Sequence, residues 1–283
     1  MITIQATEDG SFTFYSSQFG QLFHSISGAR EESQKKFVDP CLLAEKATLN
    51  SSIYILDVCY GLGYNSASAL EAIWKANPCC KVYLVALELD ETVANMAIEE
   101  RLLEIWPGSI SPLLAQLAQQ KSINTELLNA QLLIGDARIT LPRDFRADAI
   151  FLDPFSPPKC PQLWTVEFIS LLAKCLKDDA LLATYSCAAS VRSALMEAGL
   201  NIGAGPNVGR RSPGSVAGHK KYGYRSLSKQ EKEHLLTKAA IAYRDPNLQD
   251  TKEMIEQRRL QEQQNSLLEP SSAWKKRWMT SRG

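Results

Sequence analysis

Between about residues 53 and 186, five short apolar runs alternate with stretches of helical period. The runs are "IYILDVCYG", "KVYLVALELD", "AQLLIGDA", "DAIFLDPF" and "ALLATYS", and the stretches include "NSASALEAIWKAN" and "QLWTVEFISLLAKCL". Parallel neighbours need a long crossover between them, usually a helix, so this alternation selects a mostly parallel sheet flanked by helices. A further segment, "AASVRSALMEAGL", places Val191, Leu195 and Ala198 on one face and stops at Gly199, a residue suited to a left-handed cap. The expected fold is α/β and Rossmann-like.

Ahead of the sheet, "GSFTFYSSQFGQLFHS" alternates aromatic and polar residues, as a hairpin or lid does. Behind it, "GPNVGRRSPGSVAGHKKYGYR" reads as a glycine-rich basic loop between weak strands. From about residue 229 the chain turns polar and Gln-rich with interspersed charges, the composition of a solvated helix. The expected organisation is one domain over residues 1–228, lid included, and a helical, partly mobile tail over 229–283. Seven cysteines without a CxxC pair, with three histidines, fit neither a disulfide framework nor a zinc site, so no metal is expected. No basic segment followed by an apolar one opens the chain, and no uncharged run reaches the roughly 18 residues that span a bilayer, so a cytoplasmic protein without a membrane partner is expected. Lys plus Arg equals Asp plus Glu at 31 each, so any nucleic-acid contact must come from local basic clusters.

The chemistry gathers at strand ends. "LDVCYGLGYNS" closes the first strand with Gly61 and Gly63 and then enters a helix. Glycines there let the backbone approach a ligand at the edge where open α/β sheets bind nucleotides, although Ser66 stands in place of a third glycine. Glu88 ends the second strand, where a carboxylate can accept both ribose hydroxyls, a feature common to NAD and S-adenosylmethionine sites. Asp136 ends the third, where a carboxylate can accept from an adenine amine and favours S-adenosylmethionine as the cofactor. Each acid alone could be a helix cap; three successive strand ends favour a cofactor cleft. Asp153 ends the fourth, in "FLDPFSPPKCPQLW", beside the place of a methyl donor's sulfonium. Acceptors on an amine's hydrogens aim its lone pair, and a carboxylate can take an ammonium's proton, so Asp153 is the candidate catalytic residue; the alternative is an Asp-Pro turn.

"FLDPFSPPKCPQLW" resembles the FLDGFAPxKNPxxW segment of the methyltransferase half of the tRNA-modifying MnmC family. The resemblance continues through "CYGLGYN", "GDAR", "LLATYSCAASVRSALMEAGL", "GRRSPG" and "LFHSISGAREESQKKFV", covering about residues 9 to 217. It implies a class I S-adenosylmethionine-dependent methyltransferase fold and methylation of an aminomethyl group on a tRNA wobble uridine. Matched motifs imply that Tyr60, Gly61, Gly63, Asn65, Glu88, Asp136, Ala137, Asp153 and, from the lid, Glu32 bind the cofactor. The family's flavin oxidase half is absent, so a separate enzyme is expected to supply the aminomethyl group. Pro154 replaces the family's glycine and removes a backbone N–H, and Cys160 replaces an asparagine.

For the tRNA, Phe155 and Trp164 could stack on a splayed base, Trp164 being equally readable as a packed residue opening a helix. Lys159, Arg210, Arg211, Lys220 and Lys221 could contact phosphates, as could the basic "SAWKKRWMTSRG". Two rival readings remain: a polyamine-type methyl or aminopropyl transferase, which needs a carboxylate-rich pocket, and a noncatalytic RNA-binding module on the same fold.

Overall fold

In the computed structural model of the chain, residues 2–208, 213–221 and 224–280 are described. Three antiparallel strands, β1 (Ile2–Ala6), β2 (Phe12–Ser16) and β3 (Gln21–Leu22), form a small N-terminal sheet. They are followed by β4 (Ser52–Val58), β5 (Lys81–Glu88), β6 (Ser122–Asn124), β7 (Leu128–Ile134), β8 (Ala147–Leu152), β9 (Leu176–Thr184), β10 (Asn201–Ala204) and β11 (Ser215–Gly218). These eight make one sheet in the order β10-β11-β9-β8-β4-β5-β7-β6. β4, β5, β7, β8 and β9 pair in parallel, and β6, β10 and β11 add antiparallel edges.

The five apolar runs are the five parallel strands. They read as nearly continuous hydrophobic sequence because both faces are covered: one core cluster gathers Ile53, Ile55 and Phe151, the other Leu56, Val58 and Ile150. The helical periods appear as Tyr64–Ala76, Val166–Cys175 and Ala189–Glu197, and Gly199 takes the expected left-handed conformation (φ 85°).

Strand order reverses direction between β4 and β8, so the loops after them diverge and leave a crevice at their carboxyl ends. The N-terminal sheet covers it. Gln21 joins the loop after β8 through Ser156, donating from Nε2 to Oγ at 2.8 Å and accepting the Ser156 N–H at 3.1 Å. Phe19 stacks on Phe155 with centroids 4.2 Å apart.

The segment from residue 229 is helical over Lys229–His234, Lys252–Asn265 and Ser271–Thr280. It is tied to the sheet domain: Arg138 pairs with the buried Asp245 at 2.8 Å, Arg244 pairs with Glu167 at 2.8 Å, and Ile255 is buried in the second core cluster. Among the described residues no helix is long and apolar enough to cross a membrane.

Candidate active site

A cavity of about 650 Å³ opens at the carboxyl edge of β4, β5 and β8 beneath the N-terminal sheet, within the range usual for small-molecule sites. Glu88, Gly61, Glu32 and Asp153 line it, with Phe19, Phe23 and Phe155 forming an aromatic wall.

Cys59 bends the chain out of β4 at φ 70°, a left-handed conformation that a non-glycine residue adopts at a cost, and Gly61 (φ 55°) and Gly63 (φ 85°) follow. A β-carbon on Gly63 would come within 2.5 Å of the Tyr60 hydroxyl, so glycine is required there by space as well as by conformation. The helix beginning at Tyr64 has no side-chain cap. Its free N–H groups and dipole suit an anionic group such as the cofactor's carboxylate. Buried Tyr60 Oη, Asn65 Oδ1 and Asp57 Oδ1 have no hydrogen-bond partner. None of the three lines the cavity, so they bear on the packing of the turn rather than on a ligand. The Gly61 turn, the Glu88 carboxylate and the Asp153 carboxylate that do line it are the groups that a nucleoside's ribose and a sulfonium call for, so the residues present fit S-adenosylmethionine.

Glu88 accepts the N–H of Gly61 at 2.8 Å, of Leu89 at 2.8 Å and of Asp90 at 3.0 Å. A carboxylate offers roughly four lone-pair positions, so about one remains for a ribose hydroxyl rather than two. Burial pushes the Glu88 carboxyl above its ordinary value, against the three N–H donors that pull it down. Ser66, which replaces the third glycine, donates to Asp57 Oδ2 at 2.7 Å. Burial drives Asp57 up to about 7, with that hydrogen bond opposing and the Glu88 charge adding.

Asp153 sits across the crevice from Glu88. Its N–H donates to Val58 O at 3.1 Å, and its Oδ2 accepts from Asn65 Nδ2 at 2.9 Å. Burial first, then the charges of Glu32 and Asp57, push it well above the usual carboxylate range, while Asn65 and the Lys36 ammonium pull it back. Glu32 goes the other way. Burial alone would raise it, but Lys36 Nζ at 2.7 Å and the Ser25 N–H at 2.6 Å hold its carboxyl below the ordinary value. His24, buried and stacked on Tyr64, is lowered by burial to about 4 despite the nearby charges of Glu32 and Asp9.

Tyr60, Gly63 and Asn65 stand behind the cavity wall rather than lining it. Asp136 and Ala137 also lie outside the lining: Asp136 caps a short helix, accepting the Arg138 N–H at 2.9 Å, and forms an ion pair with Arg138 at 2.7 Å. The adjacent arginine takes the acceptors expected to face adenine. Trp164 is no stacking platform. It is fully buried and donates from its indole N–H to Phe155 O at 2.8 Å, shaping the loop from beneath. Phe155 lines the cavity, but Phe19 occupies one of its faces. Lys159 is exposed beside Gly20 of the lid. Lys220 and Lys221 are exposed at the opposite edge of the sheet, because β11 starts beside Thr184 at the carboxyl end of β9 and runs antiparallel away from the cavity. Arg210 and Arg211 lie outside the described residues. Sequence reading missed Asp57, whose signal was an acid inside an apolar strand, and Gln21, Phe19 and Phe23, which carried no signal beyond their alternation in the lid.

A family described as S-adenosyl-L-methionine-dependent methyltransferase matches residues 97–220. An uncharacterized protein of Methanocaldococcus jannaschii is 31% identical over 259 residues, covering 88% of this chain and 69% of that protein. The tRNA 5-methylaminomethyl-2-thiouridine biosynthesis bifunctional protein MnmC of an Azoarcus species is 32% identical over 221 residues, covering 73% of this chain. This chain spans 34% of that bifunctional protein. The crystal structure of MnmC2 from Aquifex aeolicus superposes with a TM-score of 0.80 at 33% identity, covering 94% of this chain and 86% of that one.

Proposed function

Because the chain belongs to the MnmC2 family of S-adenosylmethionine-dependent methyltransferases, we propose that it methylates the amine of a 5-aminomethyluridine at the tRNA wobble position. The observation that carries this reading is Asp153, a half-buried carboxylate just after β8, braced by Asn65 and facing the cavity that Glu88 closes on the other side.

S-adenosylmethionine supplies an electrophilic methyl group on a sulfonium. Glu88 would accept from the ribose of the bound cofactor, and it holds the Gly61 turn in shape. Asp153 takes one proton from the incoming ammonium and keeps a hydrogen bond to the amine, aiming its lone pair. A carboxylate whose affinity for protons is raised by burial is a stronger base than a free one, as that task requires. The lid, latched through Gln21 and Ser156 and sealed by the Phe19–Phe155 stack, excludes water. Lys159 at the rim, with Arg210 and Arg211, supplies phosphate contacts. The cytoplasm, where tRNA resides, is the compartment.

The test is single-turnover methyl transfer to tRNA bearing 5-aminomethyluridine. Asp153→Asn should bind S-adenosylmethionine almost normally yet transfer methyl roughly 10²-fold more slowly, with partial recovery at high pH as solvent takes the proton. A wild-type enzyme inert on this tRNA would overturn the substrate. A variant with an undiminished rate would remove Asp153 from the mechanism. One observation favours a second reading, a small polyamine acceptor: Glu32, Glu88, Asp90 and Asp153 all line the cavity. Methylation of a free triamine in preference to the tRNA would select it.

A further inference from the structure

Glu32 is the penultimate residue of a short helix, Ala29–Ser33, that runs directly into a π-helical turn, Gln34–Val38, carrying Lys36. Such turns are rare and frequently found at functional sites. The side chains of Glu32 and Lys36 are 7% and 1% exposed and lie 2.7 Å apart. Two charges taken out of water in this way add little net stability, so the pair calls for a role other than holding the fold.

Its position supplies one. Phe37, next to Lys36, packs edge-on against Phe151 with centroids 6.0 Å apart. Asp153 follows Phe151 by two residues, and strand alternation sends both side chains to the same face of β8. Asp57, in register with Phe151 on β4, faces the same way. The π-helical turn thus lies under the face from which Asp153 projects, and Glu32 and Asp153 share the cavity wall.

We infer that Lys36 is a positioning residue for methyl transfer: by neutralising Glu32 beside the cavity, it leaves Asp153 as the carboxylate whose charge faces the bound sulfonium and which takes the proton of the incoming ammonium. This rests on the reading of Asp153 as the proton acceptor. The groups acting on Asp153 are Glu32 and Lys36 from the helical segment, Asp57 and Cys59 from β4 and the turn after it, and the Asn65 amide from the following helix; His24 of the lid and Cys160 of the loop after β8 share its cavity. Glu32 strengthens the hold of Asp153 on its proton and Lys36 weakens it. Without the Lys36 charge, the repulsion between the two carboxylates stands uncompensated.

The test needs only the cofactor. A sulfonium placed beside Asp153 favours its ionised form, so binding S-adenosylmethionine should release a proton over a pH window set by Asp153. Calorimetry in buffers of different ionisation enthalpy reads that release across a pH series. Asp153→Asn should abolish it. Lys36→Met should move the window up by roughly 1 pH unit, the low end for losing an opposite charge, and Glu32→Gln should move it down. Lys36→Arg should restore it, and the Lys36→Met/Glu32→Gln pair should lie near wild type. Release that survives Asp153→Asn, or a wild-type window in folded Lys36→Met or in Glu32→Gln, would overturn the inference. Should Lys36→Met not fold, the near-isosteric Glu32→Gln decides alone. Failure to methylate tRNA would overturn the substrate reading and leave this result standing.

Discussion

Glu88 serves the cofactor and the turn that receives it, because its Oε2 holds the Gly61 N–H while one acceptor position faces the cavity. Glu88→Ala should therefore weaken S-adenosylmethionine binding by about 1.5 to 3 kcal/mol, the scale of a hydrogen bond to a charged acceptor. Titration calorimetry measures it, and an unchanged affinity would remove Glu88 from the site. His24 shows the same burial acting on the opposite charge type. Held near 4 in the fold and about 6.5 when unfolded, it stays neutral in the fold while the unfolded chain takes up a proton. Stability present above pH 6.5 is lost as pH falls toward 4, by roughly 3 kcal/mol in all. His24→Phe should flatten that part of the melting-temperature profile; an identical slope in the variant would place the acid sensitivity elsewhere.

At the scale of elements, the turn between β4 and its helix is over-determined. Gly63→Ala would meet both the left-handed penalty of roughly 1 to 2 kcal/mol and the Tyr60 hydroxyl 2.5 Å away. The short helix after β7 is a joint. Arg138 bridges Asp136 and the fully buried Asp245, and also donates to Asp250 O at 3.0 Å. Arg138→Met should cost about 3 to 5 kcal/mol, because it strands a buried charge. Urea denaturation checks this, and a loss under 1 kcal/mol would show that Asp245 finds another partner.

At the scale of the molecule, two additions frame the sheet: the N-terminal lid over the cavity and the segment from residue 229 against the helices Val166–Cys175 and Ala189–Glu197. We propose that this last segment folds with the domain. Its helix Lys252–Asn265 is polar over most of its surface, yet Ile255 is fully buried, and Arg259 donates to Ile241 O at 2.7 Å while lying over the Tyr243 ring. Amide hydrogen exchange around Ile255 should be slow, approaching that of β8. Exchange as fast as in an unfolded peptide would make the segment an accessory.

The parallel strands, the glycine turn and the placement of Glu88 and Asp153 at strand ends are legible because each depends on local properties: the period of apolar residues, and the residue type where a strand stops. Asp57 was legible in principle as a charge inside an apolar run, but its partner Ser66 was read as a missing glycine. The remainder depended on which segments meet. Lys220 and Lys221 leave the cavity because β11 pairs antiparallel with β9, a choice made by contacts between distant parts of the chain. Asp136 faces Arg138 and, through it, Asp245 of the C-terminal segment. Trp164 and Phe155 carry equivalent aromatic signals in the sequence, yet one is enclosed by the core and the other reaches the cavity. Burial and charge compensation at each of these positions are summed over residues far apart in the chain, so neither spacing nor residue type could reveal them.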